Sequence, residues 1–393
     1  MLLTNLKIYT MEGEAVKRGF IHIKDKKIAA VGPMDASLPN DADTHDMSGL
    51  CACPGFVDSH CHLGMWEDSL GFEGDDGNED TDPATPQLRA IDAVNPLDRG
   101  FSEALSGGVT TVITGPGSAN PIGGQLAAIK THGRVIDKMI LRAPAAVKFA
   151  LGENPKGVYN AKSQTPTTRM ATAAIIRENL YKAQRYLADM ERAHEDSELD
   201  EPEFDMKCES LVPLLKREIQ AHFHAHRADD IFTALRIARE FSLDAVIVHA
   251  TDAAIIAREL SEMGARVMLG PVMAGRSKPE LKNLSLDAAA KLTEAGVEFS
   301  IITDHPETPI DYLRLCAIMY VKAGLSRDEA LYAITAAPAR ICGLYDRVGS
   351  LAAGKDADIV ITEGEPMDFD AKVKYVFSDG ALVWEAPTGG LHK

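Results

Sequence analysis

Pro54-Gly55-Phe56-Val57-Asp58-Ser59-His60-Cys61-His62 is the stretch on which the reading of this chain turns. Gly55 to Asp58 form a short, mostly apolar run with strand character, and it ends directly at two histidines. Residues i and i+2 of a strand face the same side, so His60 and His62 are expected to point together. Neutral imidazole is a strong zinc ligand, and two of them aimed one way can share a cation. An H-x-H pair alone arises often by chance. The apolar strand running straight into it gives this one its weight.

Outward from that stretch, apolar strand candidates recur at 109–113, 145–149, 220–224, 245–249, 266–269 and 298–302. Helical spacing lies between the later ones, over 230–241, 252–263 and 285–295. Strand, helix, strand in this order predicts an α/β fold with a parallel sheet covered by helices. Periodicity does not choose between a barrel and an open sheet. Residues 171–217 read as a helical excursion interrupted by the acidic stretch 195–203. Residues 66–98 hold Glu67, Asp68, Glu73, Asp75, Asp76, Glu79, Asp80 and Asp82 among glycines. They lack the spacing and closing glutamate of an EF-hand, so a solvated loop bordering the site is expected. Gly115 to Gly124 follows a strand, but without G-x-G-x-x-G or a G-K-[ST] ending it is expected to shape a pocket mouth, not to bind nucleotide. Both ends of the chain are rich in short strand patterns, with Asp379-Gly380 as a hairpin turn.

The 393 residues carry a formal charge of −17, which argues against a nucleic-acid surface. No bilayer-length apolar run and no basic-then-apolar leader is evident, so a soluble, cytoplasmic protein is expected. Six cysteines in so long a chain do not suggest a disulfide framework. Cys51, Cys53 and Cys61 raise a thiolate zinc site, but the spacing lacks paired C-x2-C knuckles, and buried reduced thiols are the better expectation.

The opening stretch resembles the P-G-F-[VI]-D-x-H-x-H signature of the amidohydrolase superfamily, in the manner of its imidazolonepropionase-like and dihydroorotase-like members. The run from Gly349 to Val360, GSLAAGKDADIV, resembles that superfamily's C-terminal pattern, and Gly107-Gly108-Val109-Thr110-Thr111 resembles its approach to a later strand. The likeness spans nearly the whole chain. It implies a (β/α)8 TIM barrel over 55–344 and a small composite β-sandwich from 1–54 and 345–393. It further implies a divalent metal, zinc first, as one or two ions. The ligands carried over are His60, His62, His224, His249 and Asp304, with His222 and His226 sharing the face of His224. Lys148, carboxylated, is the preferred bridging ligand, and Glu153 is the rival. His226 and Arg227 are the expected substrate-binding residues, with Arg276 and Lys278 as further anion clamps.

What the resemblance implies in function is hydrolysis of a C–N bond in a small polar amide or cyclic amide. A metal-activated water attacks, and Asp304 moves the proton. A deaminase, an Xaa-Pro-type dipeptidase and a non-catalytic scaffold are the alternatives; the scaffold is weakened because the ligand set is intact. The expected partners are a small-molecule substrate and further copies of this chain, without nucleic acid or membrane.

Overall fold

The computed structural model describes residues 1–67 and 70–387; Asp68 of the acidic loop and the last six residues of 345–393 lie outside them. Five strands open the chain: β1 (Leu2–Ile8), β2 (Val16–Lys24), β3 (Lys27–Pro33), β4 (Thr44–Asp46) and β5 (Leu50–Pro54). Eight more build the central sheet. They are β6 (Phe56–Cys61), β7 (Val109–Thr114), β8 (Ile122–Lys130), β9 (Ile140–Ala150), β10 (Gln220–Ala225), β11 (Ala245–His249), β12 (Arg266–Leu269) and β13 (Glu298–Ile301). Three strands close the chain: β14 (Ile359–Glu363), β15 (Lys372–Ser378) and β16 (Ala381–Glu385).

The central sheet runs β6 to β13 in chain order, and its two ends meet. Asp304 N donates to His60 O at 3.2 Å and His62 N donates to His305 O at 2.9 Å, so backbone bonds bridge the seam just beyond β13. Ser59 Oγ and Ser300 Oγ, 2.7 Å apart, bridge it below. At the neighbouring pair, β6 and β7 approach so closely that a Cβ on Gly55 would lie 2.1 Å from Thr110 Oγ1. Only glycine fits at the head of the first barrel strand.

One feature departs from the expected (β/α)8 pattern. β8 is antiparallel to both β7 and β9. Residues 115–121 and 131–139 connect it to its neighbours, and neither stretch carries an α-helix. A parallel crossover needs roughly a dozen residues or more, so these links permit only reversal. The Gly-rich run read as a loop therefore passes into a strand at Ile122. The remaining barrel pairs are parallel.

The helical excursion consists of α-helices at Arg169–Glu195 and Met206–Leu215. Thr168 caps the first through its side chain, and Asp205 caps the second. Inward-facing Ile176, Leu180 and Ala183 join the main apolar core.

Strands from the two ends of the chain pair in one eight-stranded sheet, in the order β16-β15-β14-β5-β1-β2-β3 with β4 beside β1. Strands of both termini thus share one hydrogen-bonded sheet, with β14 from the C-terminal end paired to β5 from the N-terminal end. A buried ionic cluster ties it to the barrel. Lys130 Nζ, at the end of β8, lies 2.5 Å from Asp358 Oδ2, 3.0 Å from Asp356 Oδ2 and 3.3 Å from Asp379 Oδ1. Lys27 and Arg347 also hold Asp356. Among the described residues, no helix is long and apolar enough to cross a membrane.

Replacing Lys130 with Met leaves the buried Asp358 without its ammonium partner, while Asp356 keeps Lys27 and Arg347. Urea unfolding of Lys130→Met should show a loss of about 3–5 kcal/mol, the usual cost of removing one partner of a buried ion pair. A variant as stable as the parent would show that the cluster does not hold the two sheets together.

Candidate metal centre

The period of two places Lys148 and the histidines of β6 and β10 inside the barrel, near the carboxyl ends of their strands, where barrel enzymes carry their chemistry. Two groups of donors result. His60, His62 and Asp304 form one, and His224, His226 and His249 form the other; within each group the donor atoms lie within 4.8 Å of one another. Asp304 Oδ1 stands 3.5 Å from His60 Nε2 and 3.2 Å from His62 Nε2. In the second group the ring centroids are 4.5, 4.6 and 4.7 Å apart.

Backbone carbonyls set the orientation of two rings. His62 Nδ1 donates to Gly115 O at 2.7 Å, and His249 Nδ1 donates to Gly270 O at 2.9 Å. In the neutral ring this leaves Nε2 as a lone-pair donor facing inward, the outer-partner arrangement of metal-binding histidines. His226 Nδ1 lies 2.7 Å from Thr251 Oγ1. The backbone is bent to fit: His249 has φ +75° and Asp304 has φ +54°. Left-handed conformations at residues other than glycine are costly and gather at functional sites.

Burial pushes His60, His224 and His226 well below the usual imidazole range, and nearby charges add to the effect. The same burial lowers His249 to about 4 and His222 to about 3. Burial works against the charge on Asp304, but His249, His62 and Lys148 outweigh it and hold the carboxyl below its usual range. Lys148 is completely buried, with Nζ 2.8 Å from His60 Nε2. Desolvation lowers its pKa to about 7. His60 Nδ1, His224 Nδ1 and Asp304 Oδ1 are buried without a hydrogen-bond partner. Such orphaned groups are costly, and a cation beside Asp304 Oδ1, the oxygen that faces His60 and His62, relieves part of that cost. The donor set of imidazole and carboxylate fits zinc and also other first-row divalent ions.

Other expected residues fall outside the two donor groups, although Glu153 still lines the cavity above them. Glu153 belongs to neither group: its backbone N donates to Glu280 Oε2 at 3.0 Å, and its carboxylate lies 3.4 Å from Glu280 N. Arg227 is exposed and forms a two-pronged pair with Asp229, at 3.0 and 2.9 Å. It lies just past His226 at the start of the helix Ala228–Glu240, where the chain turns away from the pocket. Arg276 is exposed and bonded to Leu284 O. Lys278 does reach the pocket, with Nζ 2.9 Å from Asn154 Oδ1. His222 sits deeper, against Gln220. All six cysteines are free and buried.

Two residues were not singled out by sequence reasoning. Glu280, 1% exposed, directs Oε1 toward His226 Nε2 at 3.6 Å and His224 Nε2 at 3.9 Å. It lies in a single 3-10 turn, Pro279–Leu281, after β12, too short for any periodicity to mark an inward position. Asp58 is buried under the seam; it accepts from Thr303 N and His60 N, both at 3.2 Å, and from the Thr303 hydroxyl at 2.5 Å. Burial raises its pKa to about 7.

Above the donors opens a cavity of about 1020 Å³, lined among others by Trp66, Asn78, Ser118, Asn154, Lys278 and His305. Loops 66–98 and 115–121 both contribute to its wall, as the sequence suggested.

An eight-stranded barrel with imidazoles and a carboxylate converging at its strand ends has the build of a metal-dependent hydrolase. Comparison with known proteins agrees. The amidohydrolase family model matches residues 51–383. An amidohydrolase of known crystal structure from Thermotoga maritima MSB8 is 40% identical and superposes with a TM-score of 0.94, covering 98% of this chain and 100% of its own. The amidohydrolase tasK of Hapsidospora irregularis is 30% identical over 95% of this chain, although the chain spans only 40% of that protein's length. An imidazolonepropionase of Maricaulis maris (strain MCS10) is 25% identical over 93% of each chain. The chain belongs to the amidohydrolase family and is a hydrolase of carbon–nitrogen bonds.

Unpartnered buried donors imply that a bound cation stabilises the fold. At a concentration 100 times its Kd, linkage gives about 2.7 kcal/mol. Chelator-treated protein should therefore unfold at a lower temperature than protein reloaded with Zn2+. Coincident melting curves would count against a cation at these residues.

Proposed function

We propose that the protein hydrolyses a C–N bond of a small polar amide or cyclic amide, with His60, His62 and Asp304 holding a divalent cation. Lys148 stands beside this set and His224 and His249 stand across from it. The observation that supports this most is the approach of Asp304 Oδ1 to both His60 and His62 across the barrel seam. When bound, the cation supplies Lewis acidity and lowers the pKa of a water toward about 7.

The chain's own residues do the rest. His62 and His249 are fixed by carbonyls, so they hold their position without rearrangement during turnover. Asp304, kept as a carboxylate by its neighbours, accepts the proton from the attacking water at a carboxylate oxygen and passes it to the leaving nitrogen. The loops at 66–98 and 115–121 wall off the cavity, and Asn154, Ser118 and Lys278 offer polar contacts to the substrate. The strand regions at the two ends of the chain, 1–54 and 345–393, serve as a structural base and carry no chemistry in this reading.

Asp304→Asn keeps an oxygen donor but cannot carry the proton. Its kcat on a responsive amide should fall by roughly 100-fold to 10,000-fold, the range for loss of a general base. Metal analysis should find the cation retained on His60 and His62. Near-normal turnover in this variant would remove Asp304 from the mechanism.

A further inference from the structure

We propose that the cavity wall beside the helix Glu153–Ala161 is a specificity subsite for a carboxylate on the substrate. Lys278 and Ser118 grip the anion, and Gly157 keeps open the space in which that part of the substrate lies. This rests on the amide hydrolysis proposed above and narrows its substrate class. The substrate is an amide or cyclic amide that also bears a carboxylate, away from the bond that is cut.

Side chains from three separate strand ends make the polar part of this wall. Ser118 follows β7, Asn154 follows β9 and Lys278 follows β12. Asn154 links the other two: its Nδ2 donates to Ser118 Oγ at 2.7 Å, and its Oδ1 accepts from Lys278 Nζ at 2.9 Å. Lys278 Nζ also pairs with Glu280 Oε1 at 2.9 Å. Two neighbours thus fix the ammonium, and with three protons it keeps one for a further acceptor. Ser118 Oγ accepts from Asn154, which leaves its own O–H to donate. Two donors, one of them charged, therefore border the same cavity on either side of Asn154. A carboxylate accepts through both oxygens and makes the stronger, charge-assisted bonds. Glu280 does not cancel the ammonium, because its Oε2 is held by Glu153 N at 3.0 Å, where the helix N-terminus offsets part of its charge. Arg99, the other lysine or arginine on the cavity wall among the described residues, is already paired with Glu103 at 2.6 Å. Lys278 is the cation that an anionic substrate meets.

The same wall carries a glycine that the fold does not require. Gly157 lies in the middle of the helix Glu153–Ala161, three residues after Asn154 and so on the same face. Glycine inside a helix is less stable than alanine. Elsewhere at this mouth packing imposes it: a Cβ on Gly77 or Gly117 would lie 2.1 or 2.7 Å from the Trp66 ring. A Cβ on Gly157 would meet nothing within 4 Å, and its backbone is ordinary helix. Neither strain nor packing calls for glycine here, yet the residue borders the cavity. The call comes from what the cavity holds. A side chain at 157 would take up space one helical turn from Asn154, beside the donors of Lys278 and Ser118.

The test sets small acids against their own carboxamides on the whole protein loaded with Zn2+. The probes are N-acetyl-L-alanine, N-acetyl-L-leucine and 5-oxo-L-proline, followed by acetate release or ring opening so that loss of the carboxamide group itself is not counted. Wild type should favour each acid by roughly 10–100-fold in kcat/KM, the range of a hydrogen bond to a charged group. In Lys278→Met that ratio should fall by about tenfold or more, and in Ser118→Ala by a smaller factor. Gly157→Ala should melt at a higher temperature than wild type, as helix propensity requires. Gly157→Leu should raise KM for the acids by about tenfold, which a glycine of structural importance alone would not do. Circular dichroism checks folding, and Ser118→Ala with Gly157→Leu decides the matter should Lys278→Met fail to fold. A wild-type ratio near one, or the same ratio in the variants, would overturn the proposal while leaving amide hydrolysis standing. Should no probe be hydrolysed, equilibrium dialysis of the same acids decides. Binding that weakens in Lys278→Met would support the subsite and count against the functional reading, whereas no binding, or equal binding in both proteins, would overturn the subsite.

Discussion

The seam between the first and last barrel strands is the constraint on which the site depends. His60 and His62 lie on β6 and just beyond it, and Asp304 lies just beyond β13, separated by more than two hundred residues of chain. They meet because the sheet closes there through Asp304 N to His60 O and His62 N to His305 O. Asp58 reinforces the closure from below by accepting from the Thr303 backbone, and its burial is tolerated because several donors converge on it. Were the sheet open, the two halves of the donor set would lie at opposite edges. Barrel closure and site assembly are one event.

The antiparallel strand β8 has a consequence at the same mouth. Because the chain enters β8 from a short loop instead of a helix, residues 115–121 lie over the strand ends. Gly115 O can then orient His62, and Gly117 and Ser118 line the cavity. At its far end, β8 delivers Lys130 to the aspartates of the terminal sheet. A single reversed strand thus couples the pocket mouth to the base of the molecule.

What could be read in the sequence follows from which signals are local. The H-x-H pair, the inward histidines of β10 and the buried Lys148 obey a period of two, and the apolar runs around them mark the strands. β8 escaped because Gly123, Gly124 and Gln125 break its apolar pattern, and because strand direction depends on connection length rather than on side chains. Glu280 escaped for another reason. Its position is set by a contact with Gly152 and Glu153, more than a hundred residues away, and nothing nearby in the chain records it. Arg227 misled because it follows His226 directly. Two residues past the strand end it already caps the helix that begins at Ala228, and its side chain faces solvent.

The charges around the two donor sets are arranged with a lysine beside each. Lys148 touches His60, and Lys278 pairs with Glu280. These ammonium groups offset the carboxylates of Asp304 and Glu280, but each would be repelled by a divalent cation, and the chain deals with the two differently. Lys148 is completely buried and has no water to retreat to; desolvation brings it to about 7, where it holds much less positive charge than an ordinary lysine at neutral pH. Lys278 keeps 28% of its side chain exposed, so it can turn toward solvent and toward whatever anionic group enters the cavity. The same residue type thus meets the same electrostatic conflict by two routes, and burial alone decides which.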